Sequence, residues 1–261
     1  MEKNNKISFI VTIEARMTSS RLPGKVCMKL TNSRNVLEVL IDRIKKSNYV
    51  KKILIATTQN KIDDKIVRIA KKNKCLFFRG SENNVLNRLV LGTKKHKENS
   101  IIQLTGDNPL IDAKIIDYMA SFFISKYPRY DFVTNNNLFN KTRSVPIGMN
   151  VSIFKKSSLQ KIITLAKKED HFEHPTLYFY REGRKKFKIK NVKMPEKWCS
   201  KLNPRLTLDT KEDLKFLRKI YEKLKNIKNF TISDILNFIE NNRDILKINN
   251  KIKQKIPKNL L

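Results

Sequence analysis

The stretch Ala15–Lys25, A-R-M-T-S-S-R-L-P-G-K, decides how the rest of the chain is interpreted. It follows the apolar, β-branched run Ile7–Ile13, which predicts a buried strand. Loops at the carboxyl ends of strands in an α/β sheet form the crevice where such sheets bind ligands. This loop holds three cations, three hydroxyls and a Pro-Gly turn, which together predict an oxyanion ligand. We infer that the ligand is a triphosphate.

Two other phosphate-binding motifs do not fit this stretch. A P-loop requires Ser or Thr directly after its lysine, where this chain has Val26. The G-x-G-x-x-G pattern is also absent, which disfavours a Rossmann dinucleotide site. A solvated basic loop is the simpler alternative. The close succession of arginine, hydroxyls and Pro-Gly-Lys directly after a strand favours a binding loop instead.

The composition gives a strongly basic chain. Its 261 residues are enough for one large α/β domain, and the formal net charge is +32. Charge alone would suggest a nucleic-acid binder. However, the 42 lysines and 14 arginines are spread along the whole chain, and no RRM, KH, zinc-finger or helix-turn-helix signature is present. We therefore expect solvated helix faces and no specific nucleic-acid partner.

Cysteine usage and the N-terminus predict the compartment. The three cysteines, Cys27, Cys75 and Cys199, are far apart and form no C-x-x-C pair, which predicts free thiols in a reducing cytoplasm. The N-terminus M-E-K-N-N-K lacks the features of a signal peptide, and no apolar run approaches the ~20 residues of a membrane span. We expect a soluble cytoplasmic protein without a membrane partner.

The first half of the chain alternates between strand and helix patterns. This alternation predicts βαβ units in a mainly parallel sheet, with right-handed crossovers that bring four strand ends to one side. After the first strand, the predicted strands are Lys52–Thr58, Cys75–Phe78 and Ser100–Leu104, and the helices are Val36–Ile44, Asp63–Lys72 and Asn84–Lys95.

The pattern changes from Asp131 onward. The predicted strands there are Asp131–Thr134, Val145–Phe154, Phe187–Val192 and Leu206–Leu208. The predicted helices lie around Ser157–Lys168 and Glu173–Arg181, then from Asp209 and over Ile232–Glu240. We expect the basic tail Asn249–Lys258 to be loosely ordered.

The segment Ala15–Lys25 resembles the R-x-x-S-x-R-L-P-x-K signature of sugar-acid cytidylyltransferases. The resemblance is strongest to the branch labelled spore-coat polysaccharide biosynthesis protein F, which is related to the enzymes that make CMP-activated Kdo and neuraminic acid. It extends through further motifs in the same order, Ala56–Thr58, Phe78–Ser81, Leu104–Leu110 and Leu206–Asp209. The chain departs from the pattern at Glu14, where Gln is common, at Thr18 for Gly and at Asn108 for Cys.

The resemblance implies a fold and an organisation. The fold would be the three-layer nucleotide-diphospho-sugar transferase fold, GT-A-like and Rossmann-like, with a mainly parallel mixed sheet. Residues 1–261 would form a single domain, and a homodimer is expected. Within that domain, 1–130 would bind the nucleotide, 131–205 would bind the acceptor and dimerise, 206–248 would supply the metal-site strand and helices, and 249–261 would be the tail.

The resemblance also implies a reaction, the Mg²⁺-dependent transfer of CMP from CTP to a sugar acid with release of pyrophosphate. The implied catalytic residues are Arg16, Arg21, Lys25 and Asp107. The implied nucleotide-binding residues are Ala15, Arg16, Ser19, Arg21, Lys25, Thr57, Thr58, Arg79, Gly80, Ser81 and Arg88. For Arg88, an ordinary position on a helix surface is the alternative.

Two carboxylates are the candidate Mg²⁺ ligands. Asp107 lies in T-G-D-N-P just after the fourth strand, where an exposed metal could be held by carboxylate and phosphate oxygens. By resemblance, Asp209 is the second ligand. The alternatives are a turn-forming aspartate for Asp107 and a plain helix N-cap for Asp209.

The acceptor contacts are inferred from a shorter resemblance. His171, Glu173 and His174 lie in H-F-E-H-P-T, which is similar to a family segment that reads E-H-V-T, and Arg143 and Asn150 are candidates of the same kind. The two histidines lack the H-E-x-x-H or carboxylate-rich surroundings of a zinc site. Acceptor contacts are favoured, with dimer packing as the alternative.

Two other functions stay open at this point. One is a cytidylyl- or guanylyltransferase on the same fold that acts on a sugar phosphate or another phosphorylated small molecule, because one scaffold hosts many substrates. The other, which the motifs disfavour, is a basic nucleic-acid-binding protein.

Overall fold

The computed structural model describes residues 7–136 and 145–254. In these residues a seven-stranded sheet has the order β3-β2-β1-β4-β6-β5-β7. The strands are β1 Phe9–Glu14, β2 Lys52–Thr58, β3 Leu76–Gly80, β4 Ser100–Thr105, β5 Phe132–Thr134, β6 Ser152–Lys155 and β7 Ile189–Asn191.

The first four strands are parallel, as the alternating pattern predicts. β1 pairs with β2 on one side and with β4 on the other, and β2 pairs with β3. β6 lies antiparallel to β4 and to β5, and β7 returns parallel to β5. The sheet is therefore mixed and mainly parallel, and the carboxyl ends of β1 to β4 lie at one edge.

Helices cover both faces of the sheet. The helices of the described residues are α1 Val36–Ile44, α2 Asp64–Lys72, α3 Val85–Lys94, α4 Ala113–Ser125, α5 Lys156–Leu165, α6 Glu169–Glu173, α7 Pro175–Tyr180, α8 Lys211–Leu224 and α9 Ile232–Asn241. One apolar cluster joins α1, α2, α4, α8 and α9 to the sheet, and a second joins α3, α5 and α7 to the opposite face. This arrangement confirms the predicted three-layer α/β fold.

Local sequence explains where several helices begin. Asn35 starts α1 with a capping box. The Asn35 side chain accepts from the Glu38 backbone N–H, and the Glu38 side chain accepts from the Asn35 backbone N–H. Thr231 does the same for α9 with Asp234. α4 begins after Asp112, whose side chain accepts from the backbone N–H of Lys114. The sequence analysis missed α4 altogether.

The second half differs from the prediction in three places. Of the predicted strand Val145–Phe154, only Ser152 onward belongs to the sheet. The predicted strand Leu206–Leu208 is wrong, because these residues do not join the sheet. Arg205, directly before them, makes an isolated bridge with Ile147. Asp209 does not begin a helix either, since Thr210 caps α8.

The start of the basic tail is also ordered, contrary to the prediction. Asn249 is buried, and its amide donates to the backbone oxygen of Arg205 and to Asp213, both at 3.0 Å. The remainder of the predicted tail, from 255 onward, lies outside the described residues.

In the described part of the chain, no helix is both long enough and apolar enough to cross a membrane.

Candidate active site

Two loops meet at the carboxyl edge of the sheet, because β1 and β4 are neighbours and Glu14 pairs in register with Thr105. The backbone N–H of Gly106 donates to the Glu14 carbonyl oxygen at 2.9 Å. A Cβ at Gly106 would lie 2.8 Å from that oxygen, so only glycine permits this close approach. The loop after β1 and the T-G-D-N-P loop are thereby fastened side by side.

The loop after β1 is closed by its own backbone. Gly24 has a left-handed φ of 73°, and its N–H donates to the carbonyl oxygen of Met17 at 2.7 Å. The fully buried Asp63 accepts from the Met17 N–H at 2.8 Å and from the Thr58 hydroxyl. Asp63 thus fixes the loop to the end of β2. The sequence analysis missed this role because Asp63 resembles any acidic residue at the start of a helix.

Lys25 lies between the two predicted metal ligands. Its ammonium donates to Asp107 Oδ2 at 2.7 Å, to Asp209 Oδ1 at 2.9 Å and to the Leu208 carbonyl oxygen at 2.7 Å. Although burial disfavours the charged form, the carboxylates of Asp107 and Asp209 raise the pKa of Lys25 above its usual value. The amine therefore stays protonated, and the strand ends hold a permanent cation.

Asp209 is more than a ligand of Lys25. Its Oδ1 also lies 2.7 Å from the guanidinium of Arg21, and its Oδ2 accepts from the buried Arg205. Burial alone would raise the pKa of Asp209, but Lys25, Arg21 and Arg205 hold it below the ordinary value. Asp209 therefore stays ionised at neutral pH.

A second carboxylate completes the support of Asp209. Asp213, fully buried in α8, accepts from Arg205 Nε at 2.9 Å and from the backbone N–H of Asp209, also at 2.9 Å. Arg205 further donates to Gln254. Arg205 was not among the predicted site residues, because it lies directly before the matched segment Leu206–Asp209.

The donor set fits a small divalent cation that is shared with a ligand. No cluster of three or more His, Cys, Asp and Glu side chains suited to a metal occurs in the described ranges. Mg²⁺ needs only one or two protein carboxylates when phosphate oxygens and water supply the rest. Asp107 and Asp209 already converge on one ammonium, so their oxygens are close enough to share a cation.

Arg16 lies at the mouth of the site. One terminal nitrogen donates to the Glu82 carbonyl oxygen at 3.3 Å, and the other lies 3.3 Å from the Glu173 carboxylate. Glu82 also accepts from the Thr18 hydroxyl and from the Asn60 amide, and these bonds lower its pKa. Glu82 thus ties the loop after β1 to the loops after β2 and β3, a role that the sequence did not indicate.

Several of the predicted nucleotide-binding residues do not point their side chains toward Lys25. The Thr57 hydroxyl is fully buried, and the Thr58 hydroxyl bonds to Asp63. Arg79 donates to the Thr58 carbonyl oxygen and to that of Asn60, both at 2.9 Å, and pairs with Asp64. Their backbones nevertheless form the adjoining strand ends.

Arg88 is buried against the loop after β3 and does not lie on a helix surface. It is 2% exposed, and its guanidinium donates to the carbonyl oxygens of Ser81 and Glu82. A Cβ on Gly80 would lie 2.9 Å from the Arg88 side chain, so this glycine makes room for the arginine. The remaining predicted contacts, Ala15 and Ser19, lie on the loop itself; Ala15 is buried and its N–H donates to the Ala56 carbonyl oxygen at 3.2 Å.

A half-buried acid lies beside Arg88. Glu14 ends β1, and burial raises its pKa to about 8 even though the Gln103 side chain and Arg88 act in the opposite direction. Within the described structure, Glu14 Oε1, Gln103 Oε1 and Arg88 Nε are buried without a hydrogen-bond partner.

The predicted acceptor residues are scattered. Glu173 is exposed and pairs with Arg16, as described above, and His174 is exposed nearby. His171 is buried, with its Nε2 2.9 Å from the carboxylate of Glu182. Asn150 is partly buried, and Arg143 lies outside the described residues.

A cavity of about 350 Å³ between α1 and α2 shares no lining residue with this cluster. It is a surface groove lined in part by Lys29, Lys65, Arg68 and Lys72. The chemistry-bearing residues lie at the strand ends instead.

Comparison with known proteins identifies relatives along most of the chain. Residues 10–252 match the family described as Cytidylyltransferase. The chain is 32% identical over 245 residues to the spore coat polysaccharide biosynthesis protein SpsF of Bacillus subtilis, covering 92% of this chain and 96% of the relative.

Two solved structures are similar. A cytidylyltransferase from Leptospira borgpetersenii matches with a TM-score of 0.82 and 33% identity, covering 95% of this chain and 100% of that one. The CMP:2-keto-3-deoxy-manno-octonic acid synthetase complexed with CTP matches with a TM-score of 0.62 and 15% identity, covering 83% of this chain and 99% of that one. At that identity the second match supports the fold alone.

Proposed function

This chain belongs to the cytidylyltransferase family, and from that premise we propose that it transfers CMP from CTP to a hydroxyl group of a sugar acid. Pyrophosphate is the second product, and the reaction depends on Mg²⁺. The name of the B. subtilis relative supports a role in surface polysaccharide biosynthesis. The sugar acid is supported by the name of a sequence relative, the 3-deoxy-manno-octulosonate cytidylyltransferase of Blochmanniella floridana, which is 26% identical over 149 residues.

The single observation that carries the proposal is the convergence of Arg21 and Lys25 on Asp107 and Asp209 at the strand ends. Nucleotidyl transfer needs this combination of cations and carboxylates. The acceptor oxygen forms a bond to the α-phosphorus, the bond to pyrophosphate breaks, and negative charge grows on the leaving group. Cations held in place before the reaction stabilise that charge without having to reorganise.

The arginines and the lysine suit different parts of the triphosphate. Arg16 and Arg21 can grip two phosphate oxygens at once, whereas Lys25 acts as a compact point charge. Alignment of the α-phosphorus with the acceptor oxygen then supplies much of the remaining rate. Loss of one such charged contact typically lowers the rate by about 10²–10³-fold.

Asp107 and Asp209 would hold the Mg²⁺. When bound, the metal neutralises phosphate charge and polarises the α-phosphoryl group. Arg205, which donates to Asp209 Oδ2, would hold that carboxylate in place.

Thermal unfolding with four nucleotides tests the base preference. With Mg²⁺ present, CTP at 100 times its dissociation constant should add about 2.7 kcal/mol of stability, and ATP, GTP and UTP should add less. Equal shifts would indicate phosphate binding without base selection. A preference for GTP would favour a guanylyltransferase instead.

Pyrophosphate release tests the acceptor class. We expect turnover with a sugar acid, using 3-deoxy-manno-octulosonate and N-acetylneuraminate as the first probes, and none with sugar phosphates. Turnover only with a sugar phosphate would overturn the sugar-acid assignment. Arg21→Ala should abolish release, whereas Arg34→Ala, which removes an exposed arginine paired with Asp42, should not.

A further inference from the structure

The position between Asp107 and Asp209 is taken by a cation of the chain itself. The ammonium of Lys25 is within 2.9 Å of an oxygen of each carboxylate and donates to the Leu208 carbonyl oxygen at 2.7 Å. The backbone N–H of Leu208 in turn donates to the Asp107 carbonyl oxygen at 2.8 Å. The two aspartates and the lysine are therefore joined by one set of hydrogen bonds.

The charges of this unit and its supports are balanced. The carboxylates of Asp107, Asp209 and Asp213 are each paired with at least one of three cations, Lys25, Arg21 and Arg205. Their formal charges cancel. A divalent ion added to this group would leave two uncompensated positive charges, and uncompensated charge in a partly buried cluster is strongly unfavourable.

A nucleotide triphosphate changes this balance, because it brings several negative charges to the same edge of the sheet. Lys25 can move toward the added negative charge, since an ammonium on a flexible four-carbon stem can turn from carboxylate to phosphate oxygens. Arg205 cannot do so, because it is 5% exposed and held by Asp209, Asp213 and Gln254.

We propose that Lys25 is the resident counter-ion of the Asp107–Asp209 pair, so that a divalent metal enters only together with the nucleotide, when the ammonium moves onto the triphosphate. The inference rests on the proposed function for the identity of that nucleotide. It gives Lys25 two positions in one cycle and makes the free protein a poor metal binder.

Titration with Mn²⁺ alone, by isothermal calorimetry and by electron paramagnetic resonance, tests the counter-ion role. The wild-type protein should bind Mn²⁺ at least tenfold more weakly than Lys25→Met, which should gain one site per chain. Adding Asp107→Asn to Lys25→Met should remove that site. Lys29→Met is the matched control, because Lys29 is an exposed lysine in the same segment, and it should bind Mn²⁺ like the wild type.

The wild type provides a second test that does not depend on the folding of Lys25→Met. Water-proton relaxation distinguishes Mn²⁺ on a protein from free Mn²⁺ and from its nucleotide complex. Enhancement should be absent with Mn²⁺ alone and should develop when CTP is added. Enhancement by Mn²⁺ alone that Asp107→Asn abolishes would overturn the proposal, and so would equal Mn²⁺ affinity in the wild type and Lys25→Met.

Failure of the proposed function would look different. If CTP gives no thermal stabilisation even with Mg²⁺ present, the nucleotide assignment is at fault whatever the lysine does. If CTP stabilises the protein but Mn²⁺ already binds the free wild type, only the counter-ion role is wrong.

Discussion

Replacement of Glu14 by Gln should stabilise the protein at alkaline pH while leaving its stability in mild acid nearly unchanged. Burial of this side chain raises its pKa from 4.5 to about 8, with Asp107 reinforcing the shift and Gln103 and Arg88 opposing it. The folded protein therefore holds a proton that the unfolded chain releases near its ordinary pKa of 4.5. The associated stability is complete below pH 4.5, falls as the pH rises, and is lost above about pH 8.

The size of the effect follows from that shift. Moving the pKa from 4.5 to about 8 corresponds to at most about 5 kcal/mol, at 1.36 kcal/mol per pKa unit. Because Glu14 is partly exposed, water can reach the ionised carboxylate and reduce this penalty, so we expect about 2 kcal/mol. For a chain of this length that is roughly 4–8 °C in melting temperature.

Urea unfolding of the wild type and Glu14→Gln, at pH 5 and at pH 9, measures the difference directly. The amide keeps the shape and the hydrogen-bonding atoms but cannot ionise. The variant should gain its full advantage at pH 9 and little at pH 5. An equal difference in unfolding free energy between the wild type and Glu14→Gln at both pH values would contradict this prediction. It would show that Glu14 does not change its protonation on unfolding in this range.

Four further substitutions separate catalytic from supporting roles. Asp107→Asn and Asp209→Asn should each lower pyrophosphate release at least 100-fold, but in urea only Asp209→Asn should cost about 3 kcal/mol, because it weakens the pairing of the buried Arg205. Equal stability of the two variants would remove the supporting role of Asp209. Asp63→Ala should both destabilise the fold by about 2 kcal/mol and weaken CTP binding, since it frees the loop after β1, and an unchanged CTP affinity by calorimetry would contradict this. Arg79→Ala should leave the KM for CTP within threefold, because the guanidinium bonds to neighbouring loops, and a tenfold rise would place it on the nucleotide instead.

The sequence by itself determined the elements whose signals are local. The predicted bounds of α1 and β2 agree with the structure, because each has a clear apolar period and a polar boundary. The motif after β1 and the T-G-D-N-P motif indicated both the edge of the sheet and the family, which the comparisons confirm. Alternating strands and helices then sufficed for the parallel half of the sheet.

Local signals failed where packing, more than propensity, sets the structure. The missed helix α4 buries Ile115, Ile116, Met119 and Phe123, but apolar residues also lie on its partly exposed side, among them Phe122 and Ile124, and they blur its period. The segment Leu206–Leu208 reads as a strand by composition, yet only Arg205, directly before it, makes an isolated bridge, with Ile147. In both cases the decisive partner is distant in sequence.

Only the tertiary structure decided how the charges of the site are paired. Lys25 meets Asp107 across 82 residues and Asp209 across 184, and no spacing in the chain encodes either contact. Arg205 takes the second oxygen of Asp209 because α8 brings Asp213 against both residues. A motif names which charged groups reach the strand ends, but which of them touch depends on the packing of helices that join the sheet from far along the chain.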